Sequence, residues 1–219
     1  MNEPLRKLIP YDEFDYQTLL SALKGYAHPR DRITTLLRKG TIIRVKKGLY
    51  VFGDDARKQP YSREILANLI YGPSYISLEY ALHYHGIIPE RVEAVTSVTV
   101  GRSRKFLTPI GLFIYRIIPM TAFRTGADKV EIGGGRSFLI AVPEKALADK
   151  LRLDRASIRT QKELQTYLFD DLRIEPAAIQ EMSPDRLKEY ADRYRSRKIL
   201  LLSKLARRLF KRGGGNANA

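Results

Sequence analysis

Apolar side chains recur with helical spacing near the start of the chain. They follow the pattern i, i+3, i+4 and i+7 and predict a helix over residues 15–24, with one apolar face formed by Tyr16, Leu19, Leu20 and Leu23. A second helix is predicted over residues 28–40, because Pro29 is well tolerated in a first turn and Gly40 favours an end. Two short helices joined by a tight turn are typical of a helix-turn-helix.

The hydrophobic pattern then changes to that of strands. Residues 42–45 and 49–52 are rich in β-branched and aromatic side chains, and the connecting Lys46-Lys47-Gly48 predicts a β-hairpin with a basic tip. Helix, helix and basic hairpin in this order predict a winged helix-turn-helix over residues 1–53. The alternatives are a helical hairpin and sheet with a merely solvated basic face, and a winged helix that binds protein instead of DNA.

The predicted second helix has two sides. Ile33, Leu36 and Leu37 lie within about 100° of one another and therefore face the core. The opposite side is predicted to approach the major groove of DNA through Arg32, Thr34, Thr35, Arg38 and Lys39. Contacts with DNA phosphates are predicted for Arg30, Arg44, Lys46 and Lys47.

The central part of the chain alternates helical and strand patterns. A polar, breaker-rich stretch at residues 53–60 predicts a linker, and the following residues 61–155 predict an α+β domain with a mostly antiparallel sheet. Helices are predicted at residues 62–70, 78–85 and from Pro143, and strands at residues 94–100, 111–118, 129–132 and 137–141. Glu144 and Lys145 are interpreted as structural residues at the start of the Pro143 helix, where a carboxylate favours the positive end of the helix dipole.

The last part of the domain, residues 156–212, is predicted to be helical and to precede a flexible tail at residues 213–219. Its final helix is amphipathic and strongly basic. It predicts a packed helix with a solvated cationic face, or a contact surface for a protein or for DNA phosphates, formed by Arg197, Lys204, Arg207, Arg208, Lys211 and Arg212. A membrane-surface helix is disfavoured, because the apolar stripe is needed for packing and the chain has no tryptophan.

Composition sharpens these expectations. The 219 residues include 39 Lys and Arg against 24 Asp and Glu, so the formal net charge is +15. This surplus indicates an anionic partner and is concentrated in two places, residues 182–219 and residues 28–47, where seven basic residues face Asp31 alone. The absence of cysteine excludes disulfides and cysteine chemistry. No apolar run has the length of a membrane span or a signal-peptide core, and we expect a cytoplasmic protein.

Catalytic chemistry is weakly represented. His83 and His85 lie two residues apart on a predicted helix and point in different directions, so they do not form a metal pair. The glycine run at residues 133–135 precedes a strand, so it does not form a phosphate-binding loop. We therefore expect no enzyme activity, metal or cofactor; a nuclease that uses Asp128 and Glu131 is the remaining enzymatic alternative.

Three strings, in order, resemble the AbiEi antitoxin family of type IV toxin–antitoxin systems. The first, GTIIRVKKGLY at residues 40–50, is similar to the wing segment of that family. The second, SLEYALHYHGI at residues 77–87, resembles the helix that leads into its sheet, and the third, AVPEKALAD at residues 141–149, resembles its strand-to-helix junction. The last seventy residues match less distinctly.

The resemblance implies an antitoxin that represses its own operon through the N-terminal domain. It further implies that the remainder of the chain neutralises a co-encoded AbiEii-type nucleotidyltransferase toxin, directly or without stable binding. The main alternative is a winged-helix transcriptional regulator without a toxin partner, whose second domain senses a ligand or mediates oligomerisation.

Overall fold

The computed structural model describes the backbone of residues 3–214 and the side chains of residues 5–211. We call residues 3–52 the N-terminal unit and residues 63–214 the C-terminal unit. The fold is mixed α+β. Among residues 3–214 no helix is both long and apolar enough to cross a lipid bilayer.

The N-terminal unit packs three helices against a small sheet. The sheet is antiparallel throughout, with strand order β1-β3-β2. The hairpin and the two central helices coincide with the predicted ones, whereas α1 and β1 were not predicted because six-residue and three-residue segments carry little periodicity. In chain order the elements are α1 (Glu3–Leu8), β1 (Glu13–Asp15), α2 (Tyr16–Ala22), α3 (Pro29–Arg38), β2 (Ile42–Lys46) and β3 (Leu49–Phe52).

The C-terminal unit contains six strands and most of the helices. Its first half comprises α4 (Arg63–Ile70), β4 (Ser74–Ile76), α5 (Leu78–Tyr84), β5 (Val95–Thr99), β6 (Arg104–Thr108) and β7 (Gly111–Ile117). Its second half comprises α6 (Met120–Phe123), β8 (Ala127–Glu131), β9 (Ser137–Ala141), α7 (Pro143–Leu153), α8 (Gln161–Gln165), α9 (Pro176–Gln180), α10 (Pro184–Tyr194) and α11 (Arg197–Gly214). A π-helical turn, Thr166–Asp171, continues α8.

The large sheet is mixed, with strand order β6-β7-β5-β4-β9-β8. Three of its five strand pairs are antiparallel, in agreement with the prediction of a mostly antiparallel sheet, and the parallel pairs β5–β7 and β4–β9 make it mixed. Two of its strands were not predicted. β4 has only three residues, and β6 is an exposed, basic edge strand without apolar alternation.

Helices cover both faces of this sheet. The Tyr115 hydroxyl of β7 donates a 2.6 Å hydrogen bond to the Ala67 carbonyl of α4. On the other face, the Tyr75 ring of β4 lies 5.5 Å from the ammonium of Lys145 in α7. The strand alternation that separates these tyrosines therefore places α4 and α7 on opposite faces.

The strand β3 belongs to two hydrophobic cores. Tyr50 and Phe52 pack with α2 and α3 in the core of the N-terminal unit. Leu49 and Val51, on the alternate face, pack in the core of the C-terminal unit. Residues 53–60, the predicted linker, contain no helix or strand, but they connect units that are already in contact.

A buried ion pair reinforces this contact. The carboxylate of Glu13 in β1 accepts a 2.6 Å hydrogen bond from Arg136, which precedes β9, and another from the backbone N–H of Ser62. Both charged side chains are at least nine-tenths buried. Because a buried charge is costly without its partner, this pair holds β1 against the C-terminal unit.

A second buried polar cluster ties α7 to its neighbours. Lys145 and Asp149, one turn apart on α7, are completely buried and form an ion pair. Asp149 also accepts hydrogen bonds from Ser77, at the N-cap position of α5, at 2.7 Å and from Tyr194 of α10 at 2.5 Å. The Ser77 hydroxyl makes no cap hydrogen bond to α5 and donates to Asp149 instead.

Electrostatic surroundings fit an ion pair in this cluster. The rings of Tyr75, Tyr190 and Tyr194 lie 5.0–5.9 Å from the Lys145 ammonium. Burial lowers the pKa of Lys145, while the carboxylate of Asp149 opposes that shift. Burial, followed by the charge of Asp149, raises the pKa of Tyr194, which therefore stays protonated and donates to the carboxylate. Lys145, interpreted from the sequence as a structural residue, thus has a specific partner, Asp149, that the sequence did not indicate.

We predict that Asp149→Asn destabilises the protein by about 3–5 kcal/mol, because it leaves the buried Lys145 charge without its counterion. The matched control is Asp192→Asn, which removes the exposed i, i+4 partner of Lys188 on α10. That substitution should lower the free energy of unfolding by no more than about 0.5 kcal/mol. Urea denaturation of both variants measures the difference, and equal losses would contradict the role assigned to the buried cluster.

Candidate nucleic-acid interface

The helices α2 and α3 of the N-terminal unit are held by local hydrogen bonds and by their common core. Asp15 caps α2 by accepting a 2.8 Å hydrogen bond from the backbone N–H of Thr18, and this bond lowers the pKa of Asp15. Pro29 occupies the first turn of α3 as predicted, and Gly40 adopts φ = +68° after its end. Ile33 and Leu36 of α3 are buried.

The outward side of α3 carries the predicted groove-facing residues. Arg30, Thr34, Arg38 and Lys39 are exposed, and Arg32 and Thr35 are half-buried. Within the described residues the exposed arginines and lysine of this group form no ion pair, so their charges face solvent. The helix therefore presents a cationic surface whose nearest acidic residue in sequence is Asp31 in its first turn.

The polar side chains of α3 differ in how they are held. The hydroxyls of Thr34 and Thr35 donate to the carbonyls of Arg30 and Asp31 at 3.2 and 3.0 Å, which leaves their oxygens as acceptors. The guanidinium of Arg32 lies over the ring of Tyr26, 5.3 Å from its centroid. Tyr26, in the turn between α2 and α3, was not predicted as a site residue; an aromatic next to Gly25 in that turn was the available signal.

The three basic side chains of the β2–β3 hairpin point in different directions. Arg44 and Lys47 are exposed. Lys46 instead turns toward the C-terminal unit, where its ammonium donates to the Ile70 carbonyl at the end of α4. The cause is a register shift between Arg44 and Lys46, which pairs Lys46 with Leu49 on the face that meets the C-terminal unit. Burial accordingly lowers the pKa of Lys46.

The basic residues of α11 lie on a packed helix. Ile199, Leu202, Leu205 and Ala206 form its buried stripe. Five of the six predicted contact residues are exposed on its other sides: Arg197, Lys204, Arg207, Arg208 and Lys211. Arg207 is paired with Asp185 of α10, and the side chain of Arg212 lies outside the described residues.

The histidines and carboxylates considered as catalytic or metal-binding candidates do not form a common site. His85 is hydrogen-bonded through Nε2 to the Ala141 carbonyl at 2.8 Å, and His83 is half-buried. Asp128 is exposed, and Glu131 pairs with Lys129 at 2.8 Å. Across the part of the chain that is described, no three His, Asp or Glu side chains are grouped as metal ligands.

Comparison with known proteins adds no relative: no family model matches this sequence, and no curated protein is significantly similar to it. The resemblance to AbiEi antitoxins therefore depends on the three strings alone.

The two neighbouring hairpin lysines provide a matched test of this geometry. We predict that Lys46→Ala destabilises the protein by about 1–2 kcal/mol, because it leaves a partly buried carbonyl without its charged donor. Lys47→Ala, at an exposed position, should change stability by no more than about 0.5 kcal/mol. The free energies of unfolding in urea measure both. A larger loss for Lys47→Ala would contradict the register assigned to the hairpin.

Proposed function

We propose that this protein is a sequence-specific DNA-binding repressor whose N-terminal unit is a winged helix-turn-helix. The supporting observation is the order α1-β1-α2-α3-β2-β3 together with the cationic outward side of α3. In winged helices of this order, the second helix of the helix-turn-helix enters the major groove and the β2–β3 hairpin contacts the backbone.

The proposed contacts divide by chemistry. Arg38 and Lys39 near the end of α3, with Arg32 and the oxygens of Thr34 and Thr35, approach base edges, since guanidinium and ammonium groups pair with guanine and hydroxyl groups with several bases. Arg30, Arg44 and Lys47 contact phosphates, which adds affinity for all sequences. Lys46 is left out of this set, because its ammonium is used at the contact with α4.

The proposal extends to an antitoxin on the basis of the sequence resemblance. In this function the protein represses its own operon and neutralises a co-encoded AbiEii-type nucleotidyltransferase toxin. The exposed cations of α11 are the proposed surface for an acidic partner or for phosphates, and they are available because the apolar stripe of that helix is already buried in the fold. The proposed protein is cytoplasmic, is not an enzyme and requires no cofactor.

A regulator without a toxin partner would share the same DNA-binding unit. A nucleotidyltransferase gene adjacent to the gene of this protein favours the antitoxin, and its absence favours the regulator.

We predict different losses for two single substitutions in DNA binding. Arg38→Ala should weaken binding to the DNA upstream of the protein's own gene by about 1–3 kcal/mol and leave binding to scrambled DNA almost unchanged. Lys47→Ala should weaken binding to the upstream DNA and to the scrambled DNA alike. It should also reduce the slope of log K against log salt by about 1. Fluorescence anisotropy across a salt series measures each, with Arg159→Ala, an exposed arginine of the C-terminal unit, as control.

The wild-type titration tests the function itself. A preference for the upstream DNA that persists at physiological salt supports the repressor. Equal and steeply salt-dependent binding to both DNAs contradicts it and reduces the interaction to the net charge of +15.

The antitoxin function is tested by growth. Co-expression of this chain with an adjacent nucleotidyltransferase should restore growth that the nucleotidyltransferase alone arrests. A Lys204→Glu/Arg208→Glu variant that folds normally should restore it less well if the α11 surface contacts the toxin. Continued arrest in the presence of the folded wild-type protein would contradict the antitoxin proposal and leave the repressor proposal standing.

A further inference from the structure

An open cleft lies in the C-terminal unit, away from the elements assigned to DNA. It encloses about 600 Å³ between the sheet and the α5–α7 pair. Its apolar lining includes Leu78 of α5, Ile114 of β7 and Leu153 of α7. A cleft of this size accommodates a small organic molecule.

The cleft exists because the helices do not extend over the edge of the sheet. In the register of β5 with β7, Ile114 lies beside Thr96, on the face that α5 and α7 cover. Thr96 is buried under α5, whereas Ile114 is only half-buried and Arg116, next on the same face, is exposed. Ile114 of the outer strand β7 thus forms an open apolar floor beside the helices.

The charged side chains that line the cleft sum to +1, and two of the cations have no paired carboxylate. Lys150 of α7 is paired with two carboxylates, Asp154 at 2.7 Å and Glu79 at 3.0 Å, and these three groups together carry a net charge of −1. Arg116 and Arg155 also line the cleft, and neither forms an ion pair within residues 5–211. The cleft therefore offers two free guanidinium groups beside an apolar floor, and a guanidinium binds planar anionic groups through paired hydrogen bonds.

Hydrogen bonds fix the position of Asp154, which lies on the helix wall of the cleft beside Lys150. Asp154 accepts hydrogen bonds from the Tyr167 hydroxyl at 2.9 Å and from the backbone N–H of Ala156 at 3.1 Å, besides its pair with Lys150. Although burial opposes it, these bonds lower the pKa of Asp154 to about 2, so the carboxylate stays charged and keeps Lys150 occupied.

The backbone of the opposite wall is strained. Leu78 adopts φ = +61° at the first position of α5, a conformation that a leucine rarely adopts. Strained residues of this kind concentrate at binding sites, where the surrounding structure maintains them. Here the strain occurs at a residue that lines the cleft.

We propose that this cleft is a binding site for a small organic anion with an apolar body, such as an aromatic carboxylate, sulfonate or phosphate ester. The apolar part lies on Ile114, Leu78 and Leu153, and the anionic group is bound by Arg116 and Arg155. The site is separate from α3 and the β2–β3 hairpin, so the proposal does not depend on DNA binding.

Anilinonaphthalene sulfonate is a suitable probe, because it combines an apolar ring system with one anionic group and fluoresces when its rings leave water. Titration of the full chain should give saturable binding of one probe per chain. The Arg116→Gln/Arg155→Gln variant should raise the Kd by at least about tenfold, since the loss of even one charge-assisted hydrogen bond weakens binding by about that factor. Neutral N-phenylnaphthylamine, which has no sulfonate, should bind both forms equally.

Two further variants test whether the probe binds in the cleft itself. One controls for the loss of positive charge elsewhere, and the other blocks the cleft without unfolding the protein. Arg102→Gln/Arg104→Gln removes the same amount of charge nearby. Arg104 is paired with Tyr115 and so lies on the other face of the sheet. The Kd of this variant should therefore equal that of the wild type. Ile114→Trp fills the floor at a half-buried position and should abolish binding while the thermal unfolding midpoint is maintained. Binding that does not saturate, an unchanged Kd in Arg116→Gln/Arg155→Gln, or an equal rise in the control pair overturns the proposal.

Discussion

The arrangement of the whole chain depends on one strand, β3, whose alternate side chains enter two different hydrophobic cores. Tyr50 and Phe52 anchor the helices of the N-terminal unit, and Leu49 and Val51 close the core of the C-terminal unit. Because the side chains of a strand alternate strictly, neither set can be rearranged without displacing the other. The buried pair of Glu13 with Arg136 adds an electrostatic constraint to the same contact. The orientation of α3 relative to the large sheet is therefore a property of the fold and not of a flexible linker.

The positively charged side chains of the protein fall into two groups. Arg6, Lys46, Arg136 and Lys145 are engaged with carboxylates or carbonyls inside the structure. The exposed cations of α3, Arg44 and Lys47 have no such partner among the described residues. A surplus of basic residues in a sequence indicates an anionic partner, but only the structure distinguishes the cations that stabilise the fold from those that remain available to a ligand. The cleft between β7 and α7 repeats this division, since Lys150 is paired with carboxylates there and Arg116 and Arg155 are not.

The helix α7 connects stability with both candidate sites of the C-terminal unit. Lys145 and Asp149 on its inner side link it to α5 and α10, and Lys150 and Leu153 on another side form the wall of the cleft. Through α10, the same cluster supports α11, whose exposed cations are the proposed partner surface. The ion pair does not need to add stability compared with an apolar core to have this effect. Its geometry restricts how α5, α7 and α10 can be arranged.

Local sequence patterns determined α2, α3, the β2–β3 hairpin, α4 and the start of α7, because each combines a clear apolar period with a capping residue, a proline or a glycine. They also determined which residues of α3 face outward, since the helical period alone separates Ile33 and Leu36 from Arg38. The short strands β1 and β4, the two parallel strand pairs of the large sheet and the charged edge strand β6 could not be predicted, because their stability comes from neighbours distant in sequence. Tertiary structure alone decided that Lys46 turns inward, that Lys145 finds Asp149, Ser77 and Tyr194 in the core, and that Arg116 and Arg155 line one cleft. The physical reason is the same in each case: a side-chain period records which face of an element is apolar, but not which other element packs against that face.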